Sequence, residues 1–188
     1  DDATGGDCST IGTWDSASKT CTLSGDLTEG IVIGSSNITF DGANHKLLGP
    51  GGTTENYGIL VEVRTNVVLK NTVVDNFYVG IQLNDSFDNI ISDNTVQNIT
   101  HEGIVLTSFS ENNLILKNLV TGNGGHGISS ASDNNEIIEN IVTQNDVGIS
   151  SYANSGTKII GTTVQYNQED GMEISSNDTL IENNIISD

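Results

Sequence analysis

The run Asn135-Glu136-Ile137-Ile138-Glu139-Asn140, followed by Ile141-Val142-Thr143-Gln144-Asn145 and then Asp146-Val147-Gly148-Ile149, decides how this chain folds. It holds an asparagine, a short apolar strand, a second asparagine, another strand and a Gly-Ile pair. The same order returns on both sides. First Asn-type positions are read at Asn66, Asn89, Asn113, Asn135 and Asp178, with a degenerate copy near Thr157. Five residues later stand Asn71, Asn94, Asn118, Asn140 and Asn183. The Gly-Ile element falls at Gly58, Gly80, Gly103, Gly127 and Gly148, and as Gly171-Met172. Successive glycines are 22, 23, 24, 21 and 23 residues apart, so a period of about 22 residues runs through the chain.

Apolar residues fall into columns across these copies. One is read as Val68, Ile91, Ile115, Ile137, Ile159 and Leu180, and a second as Val73, Val96, Val120, Val142, Val164 and Ile185. A third is Ile59, Ile81, Ile104, Ile128, Ile149 and Met172, with Val61, Leu83, Leu106 and Ile174 two residues on and Ser130 and Ser151 breaking that line. The short stretches alternate with period 2 and show no 3.6-residue period, so strands, not helices, repeat. Three short strands per copy, with β-branched residues on one side, predict an all-β, single-stranded, right-handed parallel β-helix of about six to seven coils. Each strand pairs with its equivalent about 4.8 Å away, giving a rod roughly 30 Å long. Asparagine suits tight corners because it tolerates left-handed backbone, and its stacked amides bond along the axis. The glycine before each Ile is expected at a corner needing positive φ.

The chain has 188 residues, 25 acidic and 6 basic, for a net charge of −19. That balance excludes unaided binding to nucleic acid or an anionic membrane, and the lack of a long apolar run excludes a membrane-spanning helix. Asparagine makes up about one residue in eight. Cys8 and Cys21 are either two reduced structural thiols or a disulfide closing a short loop, and the extracellular look of the composition favours the disulfide. The opening Asp1-Asp2-Ala3 resembles a mature N-terminus after leader cleavage. Asn37, Asn84, Asn98 and Asn177 sit in Asn-x-Ser/Thr sequons, which permit glycosylation but also arise by chance in so Asn-rich a chain.

Residues 1–29 stand outside the repeat and are expected to form a disulfide-linked cap over the first coil of a β-helix spanning 30–188. Trp14 inside the Cys8–Cys21 loop suits covering exposed columns and unpaired edges, with a ligand-stacking platform as the alternative. The last copy runs from Asp178 to Asp188, and Ile185 and Ile186 leave an open end. Truncation, continuation into another domain, or a head-to-tail contact between copies each account for it.

These segments, and the run Ser35-Ser36-Asn37-Ile38-Thr39-Phe40-Asp41-Gly42-Ala43-Asn44-His45-Lys46-Leu47-Leu48-Gly49, resemble the parallel β-helix repeat family, the NosD-like or pectate-lyase-like β-helices of secreted microbial surface proteins. The resemblance covers about residues 30–188. It implies a fold shared by lyases, epimerases, hydrolases and proteins without known reaction.

Positions just before the repeating glycine stack on one face: Tyr78-Val79, His101-Glu102, Gly125-His126, Asp146-Val147 and Glu169-Asp170. His101, Glu102, His126 and Asp170 are therefore candidate acid/base residues or metal ligands, weighed against a plain solvent-facing row. Gly125-His126-Gly127 resembles a polygalacturonase motif, but the paired aspartates and the later Arg-x-Lys of that family are missing. Hydrolysis with inversion needs two carboxylates about a water. Lyases of this fold use an Arg or Lys base with calcium, and here Arg64 is the one arginine while Lys117 and Lys158 read as isolated surface charges. Asp85, Asp88, Glu111 and Asp133 occupy turns where a line of oxygen ligands for calcium is conceivable, against generic solubilising charge. Phe87 and Phe109, one coil apart in one turn, are expected to stack.

The sequence reading is a non-enzymatic, extracellular structural or adhesive surface protein, assembling head-to-tail with itself or meeting cell-surface components. The alternative is a carbohydrate-active enzyme (lyase, epimerase or hydrolase) or a carbohydrate-binding module whose partner is a polysaccharide.

Overall fold

The computed structural model describes residues 4–52 and 55–187. The expected termini of processing, Asp1-Asp2-Ala3, lie outside the described residues. The chain is an all-β parallel solenoid, with one four-residue helix, Cys8–Ile11, among the described residues. Each coil gives one strand to each of three sheets. The first sheet holds nine strands, from the hairpin Gly12–Asp15 and Thr20–Leu23 to Leu180–Glu182; the second holds seven, Lys46–Leu48 to Ile185–Ser187; the third holds seven, Ile31–Ile33 to Met172–Asn177. Coil-to-coil pairing satisfies the backbone of every interior strand, and no single coil could bury its apolar face alone.

In the third sheet Ile59, Ile81, Ile104, Ile128, Ile149 and Met172 pair in succession, and the isoleucines are fully buried. The other two columns need correction at their ends. Leu69, not Val68, pairs with Ile91 and is fully buried. Ile181, not Leu180, pairs with Ile159. In the second sheet Val74 replaces Val73 opposite Val96, and Ile186 replaces Ile185 opposite Val164. A one-residue slip turns every side chain to the other face of a strand. It arose because the first and last copies carry asparagine one position ahead of the interior copies.

Each corner uses two adjacent positions for two different jobs. The first adopts positive φ: Asn66 and Asp88 at one corner, Asn71 and Asp93 at the next, Asn76 and Asn98 at the third. The second points inward and forms a ladder. Asn94, Asn118 and Asn140 are all but fully buried, and each side-chain oxygen accepts the backbone N–H of the coil before: Thr72 at 3.0 Å, Asn94 at 3.0 Å and Asn118 at 2.9 Å. Asn89, Asn113 and Asn135 do the same at the preceding corner. Asn66, Asn71, Asp178 and Asn183 therefore serve the left-handed turn, not the ladders. A third ladder, Asn123, Asn145 and Asn167, was not expected from sequence.

The glycine of the Gly-Ile pair is also corrected. Gly103 is not among the positive-φ residues. It is needed because a Cβ there would lie 2.6 Å from Gly127 O and 2.8 Å from Val120 Cγ1. Replacing Gly103 by alanine wedges coils apart and is expected to cost about 1–3 kcal/mol, read as a lower urea midpoint at unchanged slope.

At the N-terminal end, Cys8 and Cys21 form the disulfide, closing a loop that such links stabilise by on the order of 3 kcal/mol through the unfolded chain. The hairpin pairs Trp14 with Cys21 and continues the first sheet through Cys21 and Phe40. Trp14 is partly buried against the core. At the other end Ile181, Ile185 and Ile186 are about half exposed.

Candidate active site on the third sheet

Along the third sheet, alternate residues point inward, and those between them face out. Register places Tyr57 beside Val79, and His126 beside Val147, so the row just before the repeating glycine runs Tyr57, Val79, Glu102, His126, Val147, Asp170. The next outward row includes Gln82, Val105, Ser129, Ser150 and Glu173. Val105, Ser129 and Ser150 are buried even though they face outward, so larger neighbours overlie them.

Those neighbours form a charged cluster. His126 Nδ1 lies 2.9 Å from Glu102 Oε1, and His101 Nδ1 lies 3.7 Å from Glu102 Oε2. The His126 ring reaches past the coil of Ser150, leaving Nε2 4.0 Å from Glu173 Oε2. That distance is too long for a hydrogen bond, so Nε2 is free to give or take a proton from a third group. The His101 ring stacks on Tyr78, centroids 5.2 Å apart. Ser129 Oγ, beneath the pair, is buried without a hydrogen bond of normal geometry, while lying close enough to Glu102 to favour its charged form.

Burial alone would push the Glu102 pKa up. The His126 hydrogen bond and the positive charge of both imidazoles outweigh it and hold the carboxyl below the usual glutamate range. His126 is held above the ordinary histidine value by the Glu102 hydrogen bond against partial burial, with the charges of Glu102, Glu173 and Asp146 adding. Near neutral pH the pair is thus a carboxylate oriented on an imidazolium, an arrangement suited to proton transfer at Nε2.

These shifts fix a pH window. Glu102, lowered from 4.5, contributes stability present above that value and lost as pH falls through its folded pKa. His126, raised from 6.5, contributes stability present below that value and lost as pH rises through its folded pKa. The stability difference between wild type and His126→Ala is therefore expected to peak between about pH 4.5 and 6.5 and to shrink on both sides, as urea denaturation across that range will show.

Of the residues expected from sequence, His101, Glu102 and His126 come together. Asp170 does not join them: it is exposed two coils beyond His126, and Glu173 approaches the imidazole instead. Glu173 and Ser129 were missed; the period-2 alternation that set the inward columns also marked them as facing outward. Among the described residues, no three His, Cys, Asp or Glu side chains assemble as a metal-holding group. Asp85 and Asp88 take positive φ at their turns, Glu111 meets Asp88 through backbone, and Asp133 accepts the Ser155 N–H at 2.8 Å. Phe87 and Phe109 are exposed, and the one ring stack among the described residues is Tyr78–His101. The sequon amides of Asn84 and Asn98 donate to Glu62 and Asp75, whereas Asn37 and Asn177 stand exposed.

A family model described as periplasmic copper-binding protein (NosD) matches residues 6–145 and, in a second overlapping match, 52–188. The chain belongs to the NosD family. No curated protein matches this NosD-family chain in sequence. Among solved structures it is similar to a double mutant of the periplasmic alginate epimerase AlgG, with TM-score 0.63 and 19% identity, covering 89% of this chain and 47% of that one. It is similar to the Dettilon tailspike protein, with TM-score 0.62 and 14% identity over 87% of this chain and 50% of that one. An alginate lyase from Paenibacillus sp. str. FPU-7 gives TM-score 0.61 and 16% identity over 88% and 75%. The chain thus spans about half the length of the epimerase and tailspike structures. At such identities these likenesses show the parallel β-helix fold.

The family description names copper, and the residues of this chain do not fit a resident copper ion. Copper sites draw on thiolate, thioether and imidazole. Both cysteines are oxidised to the disulfide, Met172 packs against the core, and Nδ1 of His126 is committed to Glu102.

Proposed function

We propose that this NosD-family protein acts on a polysaccharide laid across the outer face of its third sheet, with Glu102 and His126 as its acid/base pair. The observation that carries the reading is the His126–Glu102 hydrogen bond, which orients the imidazole and leaves Nε2 free beside Glu173. The stacked Tyr78–His101 rings stand next to it, and flat aromatic faces suit sugar rings. Similarity of fold to an alginate epimerase and an alginate lyase supports this reading over a purely structural or adhesive surface component. The disulfide and the periplasmic description of the family support a location outside the cytoplasm. No helix among the described residues is long and apolar enough to cross a membrane.

The test is a panel of acidic, neutral and amino polysaccharides incubated with the wild type and with His126→Ala. Chain cleavage or epimerisation is expected with the wild type on at least one polymer and is expected to be lost in the variant. Equal turnover by both proteins, or none by either on the whole panel, contradicts the reading.

A further inference from the structure

The acidic residues of this face include Glu62, Glu102, Asp146, Asp170 and Glu173, and no lysine accompanies them. Lys46, Lys70, Lys117 and Lys158 sit on the other two sheets and their shared corner, paired with Asp75, Asp41, Glu139 and Glu136, and Lys19 lies in the cap hairpin turn. Arg64 follows the Tyr57–Glu62 strand, and its guanidinium turns back to donate to Val63 O at 2.9 Å. Proton abstraction beside a uronate carboxylate builds negative charge that needs a cation held against it. The only positive groups on this face are the two imidazoles, and both are engaged by Glu102.

A second observation points to a ligand. Ser129, 1% exposed, holds a hydroxyl with unmet hydrogen-bonding capacity under the Glu102–His126 pair. A buried polar group left unsatisfied in a folded protein calls for a partner, and a sugar hydroxyl or amino group supplies one.

We propose that the third-sheet face selects a glycan bearing free amino groups, of the glucosamine type, and rejects polyuronates. The inference rests on the polysaccharide reading above and narrows it: carboxylates along the face bind ammonium groups, while the net charge of −19 repels a polyanion.

Isothermal titration with three tetrasaccharides tests it: glucosamine, its fully N-acetylated counterpart and mannuronate. The acetylated ligand keeps the sugar backbone without the charge. The glucosamine tetramer is expected to bind at least tenfold more tightly than the acetylated one, to weaken as salt rises, and to leave mannuronate without measurable binding. The Glu102→Gln/Glu173→Gln double variant is expected to lose at least tenfold in affinity for the glucosamine tetramer, whereas Glu182→Gln on the first sheet is expected to match wild type. Binding of mannuronate or of the acetylated tetramer as tightly as glucosamine overturns the selectivity and leaves the polysaccharide reading standing. Failure of all three to bind, or equal losses in the double variant and Glu182→Gln, overturns the reading as well.

Discussion

Replacing Asn118 by leucine is expected to lower the unfolding free energy by about 3–6 kcal/mol, although the two side chains are similar in size. Asn118 is 1% exposed. Its oxygen accepts the backbone N–H and the side-chain amide of Asn94, at 3.0 and 3.1 Å, and its own amide donates to Ile91 O at 2.9 Å. Leucine leaves three buried polar groups without partners, at about 1–3 kcal/mol each. An interior corner cannot relax without shifting every coil above it, because each ladder asparagine is bound to the next. Urea denaturation followed by far-ultraviolet circular dichroism measures the loss. A change below about 1 kcal/mol would show that the ladder is incidental to stability.

The second large effect falls on chemistry. Glu102→Gln is expected to cut turnover on the polysaccharide found by the panel by roughly 10²–10⁴-fold. Glutamine keeps the shape and the hydrogen-bonding reach but removes the negative charge that holds His126 protonated. The imidazole pKa is then expected to fall toward its ordinary value, which proton NMR of the ring reads directly. The fold is expected to persist, since Glu102 faces outward from the core. Loss of turnover together with that pKa shift places Glu102 in the proton-transfer pair; loss without it makes the residue a binding group alone, and unchanged turnover removes it from the reaction.

How far the fold could be read ahead depended on how unambiguous each column was. The Ile81, Ile104, Ile128 and Ile149 column is preceded by glycine in every copy, and its register was read correctly. The Val68 and Val73 assignments slipped because Val67-Val68-Leu69 and Val73-Val74 offer apolar residues on both parities, and because Asn66 and Asn71 occupy the turn position instead of the ladder position. The Asn123, Asn145 and Asn167 ladder escaped notice since these residues lie four, three and four residues ahead of their glycines, so no fixed spacing marks them. For the site, the row before the glycine brought Glu102 and His126 into adjacent coils. It could not show that the His126 ring spans two coils to Glu173, because that reach depends on the small side chain of Ser150 between them. Nor could it show that Ser129, a polar residue on an outward position, is buried. Burial there comes from neighbouring side chains, not from the pattern along the strand.

The most direct test of the account is an amide NMR titration of isotope-labelled protein with the tetrasaccharides. The account predicts shifts concentrated at Tyr78, His101, Glu102, His126, Ser129 and Glu173, all on the outer face of one sheet. Shifts confined to the first or second sheet, or no shifts with any sugar, would contradict it.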